Sequence, residues 1–394
     1  MSPDYSEVLV RYGEIGIKSK QTRKRMEDLL IRHIKAALLE AGVEFTKIRR
    51  EYGRIFIVTE RTQEASIIAA NIFGIVSVSP VVVIQSNLDT ILETGLEMAG
   101  KTFAKSKSFA VGSRRVGTHD YSSQDIREKL GAAILTGLPE LELAVDLTSP
   151  EQSIYVEVRN QGAYLFTDTI EGVGGMPTGS QGKVVCTLSS GLDSPIAAFK
   201  VMKRGCLPVF VNFDNTPYAN NDCSATVTEQ AQLLANYIHN FEVKLYIVPH
   251  GEDLSQAETH GPPKMTCIFC KRNMLRMARE IAIIEDADAI VTGEIIGEQA
   301  SQTTTNLRAI NTAVCDFPIL RPCAGDDKSD IEALARKIGT YRFAEEGLSC
   351  CTLAPKYPVT RGKSDEVEKA EENMTLDVLK KQVDQARIIT LRTG

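Results

Sequence analysis

No stretch of this 394-residue chain stays apolar long enough to cross a membrane. Its most apolar segment, residues 67–84, is broken by Asn71, Gly74 and Pro80 and reads as helix, turn and strand. The first ten residues carry neither the basic segment nor the apolar core of a secretory signal, so a cytoplasmic protein without membrane contact is expected. Nine cysteines, an odd number, fit reduced thiols better than a disulfide framework. Internal repeats are lacking, and 43% hydrophobic with 24% charged residues excludes a disordered or fibrous chain. There is no Walker-type phosphate loop: Gly182-Lys183 lacks the upstream glycine and precedes a strand instead of following one. Excess positive charge is missing too, since 45 Lys+Arg face 51 Asp+Glu for a net −6, which taken whole argues against a nucleic-acid binder.

The length points to two or three domains. A strand at 7–12 is followed by a helix at 22–41 with Met26, Leu29, Leu30, Ile34 and Leu38 on one face, ended by Gly42. Strands at 44–49 and 54–59, a further helix and a strand at 76–84 complete a β-α-β-β-α-β order, the ferredoxin-like pattern. A second unit over 88–166 has helices at 88–98 and 122–135 and strands at 108–113, around Ala144 and at 154–159. Four glycines and a proline in 171–181 mark a linker. Beyond it, strands at 184–188, 208–213, 243–248 and 289–292 alternate with helices at 195–203, 225–238 and 274–284, which predicts a doubly wound parallel sheet with ligands at its carboxyl ends. The residues after 363 read as polar helix.

The sharpest local signal is Ser189-Ser190-Gly191-Leu192-Asp193-Ser194, between a strand and a helix opened by Pro195. Small residues let backbone N–H groups turn inward on an anion at a helix N-terminus. Asp193 adds a carboxylate able to hold Mg²⁺, and Ser194 a hydroxyl for phosphate. An ordinary capped strand-to-helix turn is the alternative. Cys267-Ile268-Phe269-Cys270 sets two thiols on one side of a turn entering a helix at 271–284, a spacing suited to one metal or cluster. Lys271 and Arg272 beside them are expected to lower the thiol pKa values. A structural zinc or two buried thiols are alternatives here, although no histidine follows at finger spacing. His33, His119, His239, His250 and His260 read as structural or solvated, and Cys186, Cys206, Cys223, Cys315 and Cys323 as small core residues.

The loop at 189–194 resembles the PP-loop of ATP pyrophosphatases, with Ser190 where that family commonly has glycine, a substitution that is strained if φ is positive. Arg11-Tyr12-Gly13-Glu14, Gly174-Gly175-Met176-Pro177, Thr292-Gly293-Glu294, Ala300-Ser301-Gln302-Thr303 and the run from Cys351 to Thr360 are together similar to the tRNA 4-thiouridine synthetase family, ThiI. That resemblance implies a multidomain α/β and α+β chain: a ferredoxin-like domain over 1–60, an RNA-binding THUMP domain over 61–166, a linker over 167–182, a doubly wound PP-loop domain (adenine nucleotide α-hydrolase-like) over 183–362 and a helical extension over 363–394. The rhodanese domain of some members is not expected.

It further implies ATP contacts at Thr187, Leu188, Ser189, Ser190, Gly191, Asp193, Ser194, Asn212, Phe213, Lys271, Gly293 and Gln302. Lys271 stands where arginine is common, keeping the charge but not the bidentate fork. For Asn212 and Phe213 simple strand-end packing is the alternative. By the same resemblance Asp193, Cys267, Cys270 and Cys351 are catalytic, with the three cysteines holding an iron–sulfur cluster (4Fe–4S or 3Fe–4S) that leaves one iron open for sulfide. Register favours Cys351 over its neighbour Cys350 as the third ligand. The implied reaction is ATP- and Mg²⁺-dependent adenylation of uridine 8 of tRNA and replacement of its 4-oxygen by sulfur. Implied partners are tRNA, a sulfur donor (a cysteine desulfurase or sulfide) and a second copy in a homodimer. Sulfur transfer to a small carrier protein for thiamine synthesis, a tRNA-binding module with a degenerate ATP site, and a zinc-stabilised ATP-binding protein are the rival readings.

Regionally the charge is uneven. Residues 1–166 hold 21 basic and 21 acidic side chains, so residues 167–394 carry the whole deficit. Residues 101–129 hold 7 basic against 3 acidic, and Lys101, Lys105, Lys107, Arg114 and Arg115 are the candidate RNA contacts.

Overall fold

Val8, Leu9 and Val10 alternate across the first strand, β1 (Glu7–Tyr12), and all three are fully buried. The computed structural model describes residues 3–219, 223–344 and 351–393. These form two compact units, residues 1–175 and 176–394.

In the first unit β1 leads to α1 (Lys20–Glu40), whose N-cap Ser19 accepts from the Thr22 backbone and whose buried face carries Met26, Leu30, Ile34 and Leu38. Then come β2 (Lys47–Glu51), β3 (Arg54–Val58), α2 (Thr62–Ala70) and β4 (Ile75–Ile84). The rest is α3 (Leu88–Thr102), β5 (Ser108–Arg115), α4 (Ser123–Gly137), β6 (Ala144–Val145), β7 (Gln152–Arg159), β8 (Gly162–Phe166) and β9 (Ile170–Glu171). All nine strands belong to one sheet, in the order β2-β3-β1-β4-β8-β7-β5-β6 with β9 also on β4. The ten-residue β4 makes this possible. Its first part pairs antiparallel with β1, and its last three residues, Val82 to Ile84, pair with β8. Thus α2 and most of β4 complete the ferredoxin-like half, and the expected division at residue 60 falls inside it. Ile91, Ile126, Leu130 and Ile134 from α3 and α4 bury against Phe109, Ile154 and Val156 of the other half.

The second unit comprises β10 (Lys183–Leu188), α5 (Asp193–Lys203), β11 (Leu207–Asp214), α6 (Cys223–Ala235), β12 (Val243–Pro249), α7 (Gly251–His260), α8 (Thr266–Ile284) and β13 (Ala289–Val291). It continues through α9 (Thr304–Asn311), β14 (Ile319–Leu320), α10 (Lys328–Ile338), α11 (Tyr341–Ala344), α12 (Ser364–Glu371), α13 (Asp377–Asp384) and β15 (Arg387–Leu391). The sheet order is β14-β13-β10-β11-β12-β15, parallel except for β15. β10 thus lies between its successor β11 and the later β13, so the winding reverses beside it and opens a crevice at the carboxyl ends of β10 and β13.

Two expectations change here. The polar helix expected over 363–394 is two short helices and a strand; Ile388-Ile389-Thr390, β-branched throughout, pairs with β12 and closes that edge. The CxxC segment lies within α8 and not on a turn before it, because the helix begins at Thr266. α8 is held by Ile268, Phe269, Leu275, Ala278 and Ile281, which bury against Val185, Val209 and Ile290 of the sheet.

Candidate functional site

At the end of β10 the chain turns through Ser189 to Leu192 into α5, so the free N–H groups of the helix's first turn face the crevice. Ser194 closes this loop: its hydroxyl accepts from the Ser189 backbone N–H at 2.8 Å and lies 3.0 Å from Ser189 Oγ. Ser190 is not among the positive-φ residues, so the serine there carries no left-handed strain. Gly293 allows β13 to approach. A Cβ at that position would sit 2.6 Å from Ser194 Cα and 2.7 Å from its backbone nitrogen. Asn212 Nδ2 donates to the Leu188 carbonyl at 3.0 Å and ties the ends of β10 and β11 together. Asn212 is therefore a strand-end brace as well as a wall of the crevice.

The crevice is a cavity of about 300 Å³, and all twelve residues expected at the nucleotide line it. Sequence reading missed much of its electrostatics. Lys328, at the start of α10, reaches Asp193 at 2.7 Å and Glu298 at 2.6 Å, so two carboxylates converge on one positive charge. Burial raises the Asp193 pKa, and the Lys328 hydrogen bond counters it in part. Lys271 contacts Glu294 at 3.3 Å, and Glu294 also accepts from Arg321 at 2.7 Å and Thr292 at 2.5 Å. Burial alone would raise Glu294, but the Lys271 and Arg321 cations hold it below the usual glutamate value. No local motif marks Lys328, Glu298 or Arg321, since each arrives from a distant element.

Cys267 and Cys270 stand one turn apart on α8, and Cys351 is within electrostatic reach of both. Thr352 N and Oγ1 donate to the Tyr218 carbonyl at 2.8 and 3.0 Å, and the adjoining Ala219 lines the crevice. The three thiols therefore lie on the Lys271 side of the crevice, outside its lining. Cys350 lies outside the described residues. The expected lowering of the thiol pKa values does not occur. Burial pushes Cys267 up and Cys270 well up, and the nearby thiols add to this while Lys271 offsets only part. Arg272 is spent elsewhere, bonded to Glu371 at 2.7 and 3.0 Å. Among the described residues no three His, Cys, Asp or Glu side chains are grouped to hold a single metal ion. A cluster asks for a different arrangement, because each thiolate takes its own iron. His250, read as structural or solvated, is fully buried with Nε2 3.3 Å from Cys270 Sγ. Cys223 lines the crevice and is disulfide-bonded, against the expectation of a reduced core residue.

The five candidate RNA contacts separate into two groups in the first unit. Lys101, Lys105 and Lys107 gather before β5, each paired with an acid: Glu97 at 2.6 Å, Glu142 at 3.0 Å and Glu151 at 2.5 Å. Arg114 and Arg115 end that strand, roughly 20 Å away at the rise of an extended chain. Exposed pairs of this kind are weak and screened by salt, so phosphate can displace the acids.

Comparison with known proteins follows the same outline. Family models described as "ThiI ferredoxin-like domain", "THUMP domain" and "Thiamine biosynthesis protein (ThiI)" match residues 7–79, 85–168 and 179–376. A probable tRNA sulfurtransferase of Methanobrevibacter smithii is 38% identical over 374 residues, 93% of this chain and 95% of the relative. One from Methanosarcina mazei is 37% identical over 380 residues, 95% of this chain and 93% of its own. Among solved structures, a 4-thiouridine synthetase–RNA complex with bound ATP superposes with a TM-score of 0.85 at 31% identity, over 98% of this chain and all of that one.

Proposed function

The chain belongs to the ThiI family of tRNA sulfurtransferases, and from that membership we propose that it converts uridine 8 of tRNA to 4-thiouridine through an adenylated base. It is a tRNA sulfurtransferase with the ferredoxin-like, THUMP and PP-loop domains of that family. The observation that carries the finer reading is one crevice lined by all twelve expected nucleotide residues, with three thiols on the side of Lys271, which lines it.

ATP lies with its phosphates on the Ser189 to Ser194 loop, where the N-terminal N–H groups of α5 and its dipole favour negative charge. Asp193 and Glu298 suit Mg²⁺, as they already share one cation. Asn212 and Phe213 flank the nucleoside, and Lys271 and Gln302 bound the reacting phosphate. The uracil O4 attacks the α-phosphorus as N3 gives up its proton, the bond to pyrophosphate breaks, and O4 becomes part of an AMP ester. This activation is needed because a carbonyl oxygen is a poor leaving group and AMP a good one. Hydrosulfide sulfur then bonds to C4, the C4–O bond breaks, AMP departs with the oxygen, and the sulfur's proton passes to N3 to give the 4-thiocarbonyl base; no electron is gained or lost overall.

Cys267, Cys270 and Cys351 would hold an iron–sulfur cluster: two thiols one turn apart on α8 and a third near them are the donor set of a three-thiolate cluster. When bound, such a cluster supplies an iron without a protein ligand, on which exogenous sulfide from a desulfurase or from solution can be presented. The protein's own part is to hold the half-buried thiols near the Lys271 side of the nucleotide crevice. Lys101, Lys105, Lys107, Arg114 and Arg115 contact tRNA phosphates, a homodimer spans one tRNA, and the reaction takes place in the cytoplasm. No helix among the described residues is long and apolar enough to cross a membrane.

Replacing Asp193 with Ala tests the reading. The D193A protein is expected to lose tRNA-dependent pyrophosphate release, and retained turnover would sink the proposed role of the loop. Because the family is also described by thiamine biosynthesis, a small carrier protein is the second acceptor to assay alongside tRNA.

A further inference from the structure

Behind the thiols lies a row of buried polar groups that the nucleotide chemistry does not use. β12 ends at Pro249 and α7 starts at Gly251, which makes His250 the N-cap of α7 and puts Asp253 in its first turn. Both are closed to solvent, at 0% and 1% exposure. His250 Nε2 is 3.3 Å from Cys270 Sγ. On the other side Nδ1 is 2.8 Å from Asp253 Oδ1, a close contact that is not aligned as a linear hydrogen bond. Asp253 then accepts from Asn273 Nδ2 at 3.0 Å and from Gln382 Nε2 at 2.9 Å. Asn273 is three residues beyond Cys270 on α8, and Gln382 comes from α13. The Phe213 ring covers the imidazole at 5.5 Å between centroids.

A carboxylate and an imidazole buried this deeply are costly to desolvate unless paired, and apolar residues of like size would pack as well. The row ends on a sulfur and is braced from two other helices, so its geometry serves the sulfur. Outer partners of this kind orient ligands and tune what they bind.

We infer that His250, backed by Asp253, is the positioning residue of Cys270: it fixes the direction of Sγ toward the other two thiols and provides a hydrogen bond to it from behind. The inference rests on the cluster reading above. A hydrogen bond to a ligating sulfur withdraws electron density from it and raises the reduction potential of the bound cluster. Asn273 and Gln382 act one step further back, by holding Asp253 against the imidazole.

The test uses the full chain, reconstituted anaerobically with ferrous iron and sulfide and followed by visible absorption, iron content and potentiometric titration. His250→Leu removes the ring nitrogen, and its cluster is expected to titrate at a more negative potential and to lose iron faster to a chelator than the wild type. His250→Gln retains an amide donor and is expected to recover most of both properties, which a packing role alone would not produce. Gln382→Leu is nearly the same size and distant from the thiols; it is expected to fold and to shift the potential in the same direction by less. If H250L fails to fold, Q382L decides. An unchanged potential and iron retention in H250L, or in Q382L where it decides, overturns the inference alone. H250Q that behaves as H250L also counts against it. Wild-type protein that takes up no iron overturns the cluster reading and the inference with it.

Discussion

Gly293 shows how little room the nucleotide loop has. Its missing side chain lets β13 lie against the backbone of Ser194, where a Cβ would come within 2.6 Å of Cα. Neither neighbour can yield, since one is the first turn of α5 and the other the end of a central strand. Gly293→Ala is therefore expected to destabilise the second unit by about 1–3 kcal/mol, the usual cost of overpacking. It should also displace the loop enough to weaken ATP binding by about tenfold, equivalent to about 1.4 kcal/mol. Thermal melting and calorimetric titration with ATP check both parts, and a variant that binds ATP normally would show that the close approach is incidental. The serine at 190 illustrates the opposite case. Its composition suggested strain, but strain depends on φ, and φ there is negative. Lys328 was invisible as a site residue because nothing near it in sequence distinguishes it from any helix-opening lysine; only the fold brings it to Asp193.

Among the elements, α8 carries both CxxC thiols and is fixed from two sides. Its apolar face packs on the sheet. Its polar face is clamped by α12, where Glu371 receives Arg272 at 2.7 Å and Arg276 at 2.6 Å. Arg272 also reaches the Ala309 carbonyl and Thr312. Burial would raise the Glu371 pKa, but the hydrogen bonds and charges of Arg276 and Arg272 pull it down to about 2 from 4.5. A lowered carboxylate stabilises the fold fully above its unfolded pKa and loses that contribution as pH falls from about 4.5 through about 2. The contribution is about 3 kcal/mol at neutral pH. Glu371→Gln should cost a similar amount at pH 7 and much less near pH 3, because the wild type has by then lost part of it. Urea midpoints at the two pH values measure this, and a gap that does not narrow on acidification would assign the loss to packing. The sequence showed that 363–394 is polar and partly helical. It could not show that this segment holds the helix of the thiols, since Glu371 and Arg272 are 99 residues apart.

For the whole molecule the acidic average concealed an uneven distribution. Residues 1–166 are balanced and 167–394 carry the deficit, which fits the proposal that the first half meets tRNA phosphates while the second contains the nucleotide crevice. If Lys101, Lys105 and Lys107 meet tRNA phosphates, affinity should fall steeply with salt, and the triple alanine variant should lower the slope of log K against log salt by about 2–3. Filter binding over a salt series reads that slope, and an unchanged value would remove these lysines from the interface. The sequence by itself determined the ferredoxin-like order of the first elements, the alternating strands and helices after residue 183, and the small-residue loop between β10 and α5. Those features are set by local periodicity, small residues at turns and short-range spacing, all of which are written along the chain. Tertiary structure alone decided that one long strand, β4, joins the first two domains into a single sheet, that Lys328 and Glu298 meet Asp193, and that a buried histidine stands behind Cys270. Each of these is a meeting of distant segments. Charge and burial at such meetings are properties of three-dimensional packing, which periodicity does not encode.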